Sequence, residues 1–416
     1  MKSLRICFAL FVLTSLHNAA AQKRVLFVGN SYTAANNLPQ MLSDLASSMG
    51  DSVIFASNVP GGYTFQLHSS DANTLALIQS QPWDYVVLQE QSQRPSFPQS
   101  QVAVEVYPYA RQLDSLIRLN NPCTETVFYM TWGRKYGDAS NCAFWPPVCT
   151  YAGMQEQLRQ SYLFMGNDNS ALVAPCGMAW QQSVSIDSTI NLWVSDNSHP
   201  SPEGTYLNAC VFYATLFRRS PIGAPFTAGI SAPVSAHLQQ VAHQTVFDSL
   251  AVWNIGDFDA KADFIMQPNG LAVQFQNTSL NATTASWDFG DGQSSNQLSP
   301  QHTYAQVGNY VVQLISGNTC MQDTLSDTLA LSSSGLGSSN PSAACVESVS
   351  GGLLLQCDAR EVLAYTADGR LIAHQTTALK AGEIIRFSGM NGAQLLVITF
   401  ANKHQLTYRL MNIRQE

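Results

Sequence analysis

Val25-Leu-Phe-Val-Gly-Asn-Ser-Tyr32 is the stretch on which the fold of this chain turns. Its four apolar residues, Val25 to Val28, predict a strand, and Gly29-Asn30 then delivers Ser31 at the strand's C-terminal end. In open α/β sheets that edge collects ligands and catalytic groups. Outward from it comes an amphipathic segment, Leu38 to Met49, with Leu38, Met41, Leu42 and Leu45 at helical spacing, and then a short strand over Ser52–Ser57. Further helices are expected over Thr64–Gln79, Val102–Leu119 and Met154–Met165, and further strands over Tyr85–Gln89, Val127–Thr131 and Leu172–Ala174. A last helix, Pro202–Phe217, has Ser201 as N-cap and proline at its first position, both preferred there. Strands and helices alternating in this way imply an α/β domain whose parallel sheet is covered on both faces.

Near Asp257 the pattern changes. From Ala260 to Leu331 short alternating strands (Leu271–Gln276, Ala285–Phe289, Tyr310–Ile315) are separated by Asn/Gly/Ser turns, the texture of a β-sandwich. Ser332 to Pro341 reads as a flexible linker, and its Gly335-Leu-Gly337 lacks the βαβ setting of a dinucleotide loop. From Ala343 onward lies a small all-β unit with strands over Gly352–Gln356, Val362–Thr366, Ile384–Phe387, Leu395–Phe400 and Leu406–Leu410, and Asp368-Gly369 as a hairpin turn. The expected division is a leader over 1–21, the α/β domain over 22–256, a sandwich over 257–332, a linker over 333–342 and a C-terminal β domain over 343–416.

Composition narrows the function. A chain of 416 residues, 45% of them hydrophobic, is long enough for two or three domains. The charged fraction is only 12%, the formal net charge is −8 and there is no Lys/Arg run, which argues against a nucleic-acid partner. Residues 1–21 read as a secretory signal: Lys2 and Arg5, then an apolar run from Ile6 to Leu16, then Ala19-Ala-Ala21 as cleavage site. No later stretch is expected to span a membrane, so the mature protein is expected to be secreted or held at the cell surface, as a monomer. Of nine cysteines, loss of Cys7 with the leader leaves eight for an oxidising compartment. Cys142 and Cys149 flank a Pro-Pro turn and are placed to staple it, Cys345 and Cys357 to bridge a hairpin, while Cys123, Cys176, Cys210 and Cys320 are left unassigned. None lies in a CxxC pair of zinc-ligand spacing, so neither metal nor cofactor is expected.

Far downstream of Ser31 comes Asp196-Asn-Ser-His199, a carboxylate and an imidazole three positions apart on a Ser/Pro-rich loop. With Ser31 these are the parts of an acyl-transfer triad, defined by role rather than by order. A hydrolase also needs donors for the developing oxyanion. Gly61-Gly62 follows the second strand and offers an unhindered backbone N–H, and Gln89 ends the third strand and offers a side-chain amide. Asp187 is the reserve choice for the triad acid. Trp132 and Arg134 end a strand on the same edge and are candidate substrate contacts, although a core Trp beside a solvated Arg is the favoured reading of the pair. His68 and Glu90 read as buried hydrogen-bonding groups. There is no Gly-x-Ser-x-Gly elbow, no His-Glu-x-x-His and no P-loop.

These blocks resemble the SGNH (GDSL-type) hydrolase family over roughly residues 23–220: Gly-Asn-Ser31, Gly61-Gly62 and Asp196-x-x-His199. The resemblance implies a three-layer flavodoxin-like domain and serine-dependent ester hydrolysis. Ser31 is then the nucleophile, His199 the base and Asp196 its orienting acid, with the oxyanion among Ser31 N–H, Gly62 N–H and the Gln89 amide. Two departures stand out. The family's Gly-Asp-Ser is Gly-Asn-Ser here, and its Gly-x-Asn block is replaced by Leu88-Gln-Glu-Gln91. Trp287-Asp-Phe-Gly-Asp-Gly292, His302-Thr-Tyr and Gly308-Asn-Tyr310 resemble a PKD domain, an immunoglobulin-like sandwich. The terminal unit, with Ala-Asp-Gly-Arg370, is similar to the C-terminal domains that the type IX secretion machinery of Bacteroidetes recognises. The expectation is a secreted esterase that removes acetyl or other short acyl groups from an extracellular polysaccharide. A lysophospholipase or thioesterase, and a non-catalytic carbohydrate-binding surface protein on the same fold, are the alternatives.

Overall fold

The computed structural model describes residues 22–332, the backbone of seven strands between residues 346 and 409, and Lys380. The leader at 1–21, the linker at 333–342, the Asp368-Gly369 turn and the Cys345–Cys357 pair lie outside the described residues. In order, the first unit runs β1 (Gln22–Val28), α1 (Ser31–Ala34), α2 (Leu38–Ser48), β2 (Ser52–Asn58), α3 (Phe65–His68), α4 (Ala72–Gln79), β3 (Tyr85–Leu88), α5 (Gln99–Glu105), α6 (Tyr107–Asn120), β4 (Glu125–Tyr129), α7 (Tyr151–Asp168), β5 (Leu172–Ala174), α8 (Cys176–Ile186), α9 (Pro202–Phe217) and α10 (Ala232–Phe247). Its five strands are all parallel in the order β2-β1-β3-β4-β5, the flavodoxin-type arrangement. Successive residues of a strand face opposite sides, and Val25, Leu26, Phe27 and Val28 are all buried. Both faces of β1 are therefore covered, which is why the strand reads as an unbroken apolar run.

Two of the expected helices are each broken in two. The segment expected over Thr64–Gln79 stops at His68 and restarts behind Asp71, whose carboxylate accepts the Thr74 N–H at 2.8 Å as an N-cap. The segment expected over Val102–Leu119 divides at Val106 because Pro108 has no N–H to continue the ladder. Helices α8 and α10 have no counterpart among the sequence expectations.

The second unit comprises β6 (Phe264–Asn269), β7 (Ala272–Asn277), β8 (Thr284–Asp288), β9 (Ser294–Ser295), β10 (Gln301–Thr303), β11 (Gly308–Gly317) and β12 (Gln322–Leu331). They form two antiparallel sheets, β10-β7-β6 and β12-β11-β8-β9. Trp287 and Phe289 are buried between them, with the Phe264 ring edge-on to Trp287 at 5.1 Å. Asp288 and Asp291 accept the Gly290 and Gln293 N–H groups and so hold the Gly turn. Beyond it, β13 (Val346–Val349), β14 (Gly352–Leu355), β15 (Ala359–Tyr365), β16 (Leu371–Gln375), β17 (Ile384–Arg386), β18 (Leu395–Phe400) and β19 (Gln405–Arg409) pair antiparallel in two further sheets.

A disulfide, Cys123–Cys320, joins the α/β unit to the β11–β12 turn, and Arg218 pairs with Asp259 at the same junction. Cys123 precedes β4, whereas Ser31 follows β1. In a parallel sheet those are opposite edges, so the sandwich is fastened to the side away from Ser31. Cys142 and Cys149 form a second disulfide, while Cys176 and Cys210 are buried thiols. No helix among the described residues is long and apolar enough to cross a membrane.

Candidate active site

Ser31 opens α1 directly after the tight turn that ends β1. Asn30 caps that helix, accepting the Tyr32 N–H at 3.2 Å on Oδ1, and donates from Nδ2 to the Tyr63 carbonyl at 2.9 Å. One side chain thus ties the Ser31 turn to the Gly61-Gly62 loop. Asp196, Asn197, Ser198 and His199 form a loop that enters α9. The Asp196 Oδ1 accepts the N–H groups of Ser198 and His199, both at 2.9 Å, and Asn197 takes a left-handed conformation between them.

The structure brings the three separated groups into one line. Ser31 Oγ lies 2.8 Å from His199 Nε2, and His199 Nδ1 lies 2.5 Å from Asp196 Oδ2. A carboxylate only accepts, so Nδ1 carries the proton and neutral His199 presents the Nε2 lone pair to the Ser31 hydroxyl. Partial burial raises the Asp196 pKa, but the hydrogen bonds from the His199 ring and from two backbone N–H groups outweigh it and hold it below the ordinary range. Asp187, the reserve acid, instead accepts from the Thr189 N–H and hydroxyl. Gly62 is exposed with φ +72°. Among the described residues, no protein acceptor faces the backbone N–H of Ser31 or of Gly62.

Gln89 departs from the expectation. It is fully buried, and its amide hydrogens go to Asn30 Oδ1 at 3.0 Å and to the Glu90 carbonyl. Its Oε1 accepts from the Asn30 N–H at 3.0 Å and the Thr33 hydroxyl at 2.9 Å. The longer stem folds the amide beneath the Ser31 turn, so Gln89 clamps that turn and has no donor left for an oxyanion. Gly29 is required here: a Cβ would meet Thr33 Oγ1 at 2.6 Å and Gln89 Oε1 at 2.8 Å.

Trp132 is a core residue, the favoured expectation, and not a substrate contact. The side chain has no exposed surface and stacks between Tyr32 (4.8 Å) and Trp180 (3.9 Å), so it cannot floor a substrate pocket. Its indole N–H donates to the Ser198 carbonyl at 3.0 Å, and the Tyr32 hydroxyl shares a 2.6 Å hydrogen bond with Ser198 Oγ. The Tyr32 ring packs edge-on to His199 at 5.1 Å. This aromatic column holds the His199 loop from behind, a role whose only sequence signal is the place of Tyr32 beside Ser31. Arg134 pairs with buried Asp138 at 3.3 Å. His68, also buried, lies 2.8 Å from the Gly29 carbonyl and 2.8 Å from Thr74 Oγ1.

Glu90 joins the two loops that flank Ser31. Fully buried, it accepts the Phe65 N–H at 2.8 Å and the Gln91 N–H at 2.6 Å. Burial raises its pKa to about 7 despite those two hydrogen bonds and the nearby Arg94. An acid whose folded-state pKa is raised stays protonated while the unfolded chain ionises. Its contribution is therefore greatest in acid and is lost as pH rises toward about 7. Relative to Glu90→Gln, the wild-type unfolding free energy should fall by roughly 2–3 kcal/mol between pH 5 and 7.5. Urea titrations across that range test this, and a pH-independent difference between the two proteins would refute it.

Residues 265–332 match the PKD domain family. No curated protein sequence matches the chain. Among solved structures, the chain is similar to a DUF4886 family protein from Bacteroides uniformis, at 17% identity and TM-score 0.47, over 54% of this chain and 95% of that one. It is similar to a candidate SGNH hydrolase from Slackia heliotrinireducens, at 27% identity and TM-score 0.39, over 47% and 99%. It is also similar to the PKD1 domain of a Vibrio cholerae metalloprotease, at 33% identity and TM-score 0.17, over 18% and 96%. The chain thus carries a segment that matches the PKD domain family behind a parallel α/β unit of flavodoxin-like strand order.

Proposed function

We propose that the protein is a secreted serine ester hydrolase that removes acetyl or other short acyl groups from an extracellular carbohydrate. The observation that carries this reading is the Ser31–His199–Asp196 line, with contacts of 2.8 and 2.5 Å. In the first step the Ser31 oxygen adds to the ester carbonyl carbon while its proton passes to His199 Nε2. Asp196 stabilises the imidazolium at Nδ1. The carbonyl oxygen becomes an oxyanion held by the N–H groups of Ser31 and Gly62, at the N-terminus of α1. Collapse breaks the bond to the alcohol, which takes the proton from His199. Water activated by the same imidazole then releases the acid and restores Ser31. Gln89 is left out of the hole and serves to hold it.

Two disulfides and a PKD domain support an extracellular setting. In this reading residues 1–21 direct export, and residues 343–416 are what a surface-sorting machinery recognises. The engaged Gln89 amide favours a second reading, a carbohydrate-binding protein in which the hole has lost a donor and catalysis with it. Acetate release from acetylated glycans by wild type and Ser31→Ala separates the two. Equal background rates in both would leave the binding protein.

A further inference from the structure

The loop after β4 runs close to the His199 loop and carries unusual side chains. Among the described residues three aromatic residues are exposed, and the two that are largely so, Tyr136 (71%) and Phe144 (88%), lie on this loop. The third, Phe164, stacks on Tyr107 at 4.3 Å. An exposed aromatic ring on a rigid support is a common binding anchor.

The Tyr136 turn is rigidly held. The Lys135 N–H donates to the Asn197 carbonyl at 2.9 Å, which fastens the turn to the loop between Asp196 and His199. Gly137 N–H closes onto the Arg134 carbonyl, and Asp138 N–H donates to the Val148 carbonyl at 2.7 Å. The buried Asp138 carboxylate gathers Gln93, Arg134, Ser140 and Asn141, and Cys142–Cys149 closes the remainder. At Gly137 (φ +77°) a Cβ would meet the Cys149 carbonyl carbon at 2.5 Å, so the turn lies flat on the disulfide segment. Little conformational entropy remains to be lost on binding.

We propose that Tyr136 is the platform on which the sugar ring bearing the ester stacks. This rests on the hydrolase reading above for its direction: the leaving alcohol collects its proton from His199 and so lies on the His199 side, the side to which the Tyr136 turn is bonded. The surroundings of the ring suit a polyhydroxylated ligand better than a fatty chain. Lys135 Nζ stands 5.9 Å from the Tyr136 ring and 3.0 Å from Asn191 Oδ1, which puts polar groups beside an apolar face.

The test compares kcat/KM of wild type, Tyr136→Ala and Tyr136→Trp on an acetylated xylo-oligosaccharide and on ethyl acetate, which has no ring. Tyr136→Ala should lose about tenfold on the oligosaccharide, chiefly in KM, with ethyl acetate unchanged, and Tyr136→Trp should retain the rate. Equal losses on both esters, or none on the oligosaccharide, overturn the proposal. A second arm measures calorimetric binding of the same oligosaccharide to Ser31→Ala and to Ser31→Ala/Tyr136→Ala. A roughly tenfold weaker complex in the double variant supports the platform, and indistinguishable titrations overturn it. If wild type cleaves neither ester while the double variant still binds more weakly, the hydrolase reading falls and the platform stands.

Discussion

Ser31→Ala is expected to lower ester hydrolysis by about four to six orders of magnitude, with little change in melting temperature. The asymmetry follows from what the side chain touches. Among the described residues the hydroxyl bonds only His199 Nε2, at 2.8 Å, whereas the turn that carries it is held by Asn30, Gln89 and Thr33. Removing one oxygen therefore deletes the proposed nucleophile and leaves the scaffold in place. Acyl-enzyme chemistry also predicts a burst of alcohol release when deacylation is slow, and the variant should abolish it. Initial rates on a short acyl ester, read beside a thermal melt, are the measurement. A correctly folded variant that keeps more than a few per cent of wild-type activity would remove Ser31 from the mechanism.

Asp196→Asn should cost roughly 10³–10⁴ in kcat and leave KM nearly unchanged. The loop should survive, because Oδ1, which accepts the Ser198 and His199 N–H groups, has an equivalent in asparagine. The other position changes from an acceptor to a donor facing His199 Nδ1. The imidazole is then pushed toward the tautomer that carries its proton on Nε2, pointing at Ser31, and can no longer take the hydroxyl proton. Asp196→Ala should in addition loosen the loop, since two backbone N–H groups lose their acceptor. A larger loss of stability in the alanine variant than in the asparagine variant is the expected signature.

Gln89 is not the oxyanion donor expected of it, and Trp132 takes the favoured core place and not that of a substrate contact, for one physical reason. Each residue type suits the role assigned to it, and the chain position placed each on the right edge of the sheet. Local sequence does not say which way a side chain turns once its neighbours are packed. Gln89 met four polar partners beneath the Ser31 turn, and Trp132 met the faces of Tyr32 and Trp180. The Cys123–Cys320 link was out of reach in the same way: it joins two units whose docking is decided by surfaces scattered along the chain.

What local sequence determined was whatever short-range periodicity and backbone chemistry impose. The apolar run of Val25–Val28, the Ser201-Pro202 helix start, whose serine accepts the Gly204 N–H at 3.1 Å, and the Trp287–Gly292 turn each act within a few residues of themselves. The tertiary structure alone decided which donors remain for an oxyanion, which aromatic rings are buried and which stand in solvent, and that Lys135, next to Tyr136, is bonded to the loop that carries His199. Those outcomes depend on competition among partners drawn from distant parts of the chain, and only the packed fold resolves it.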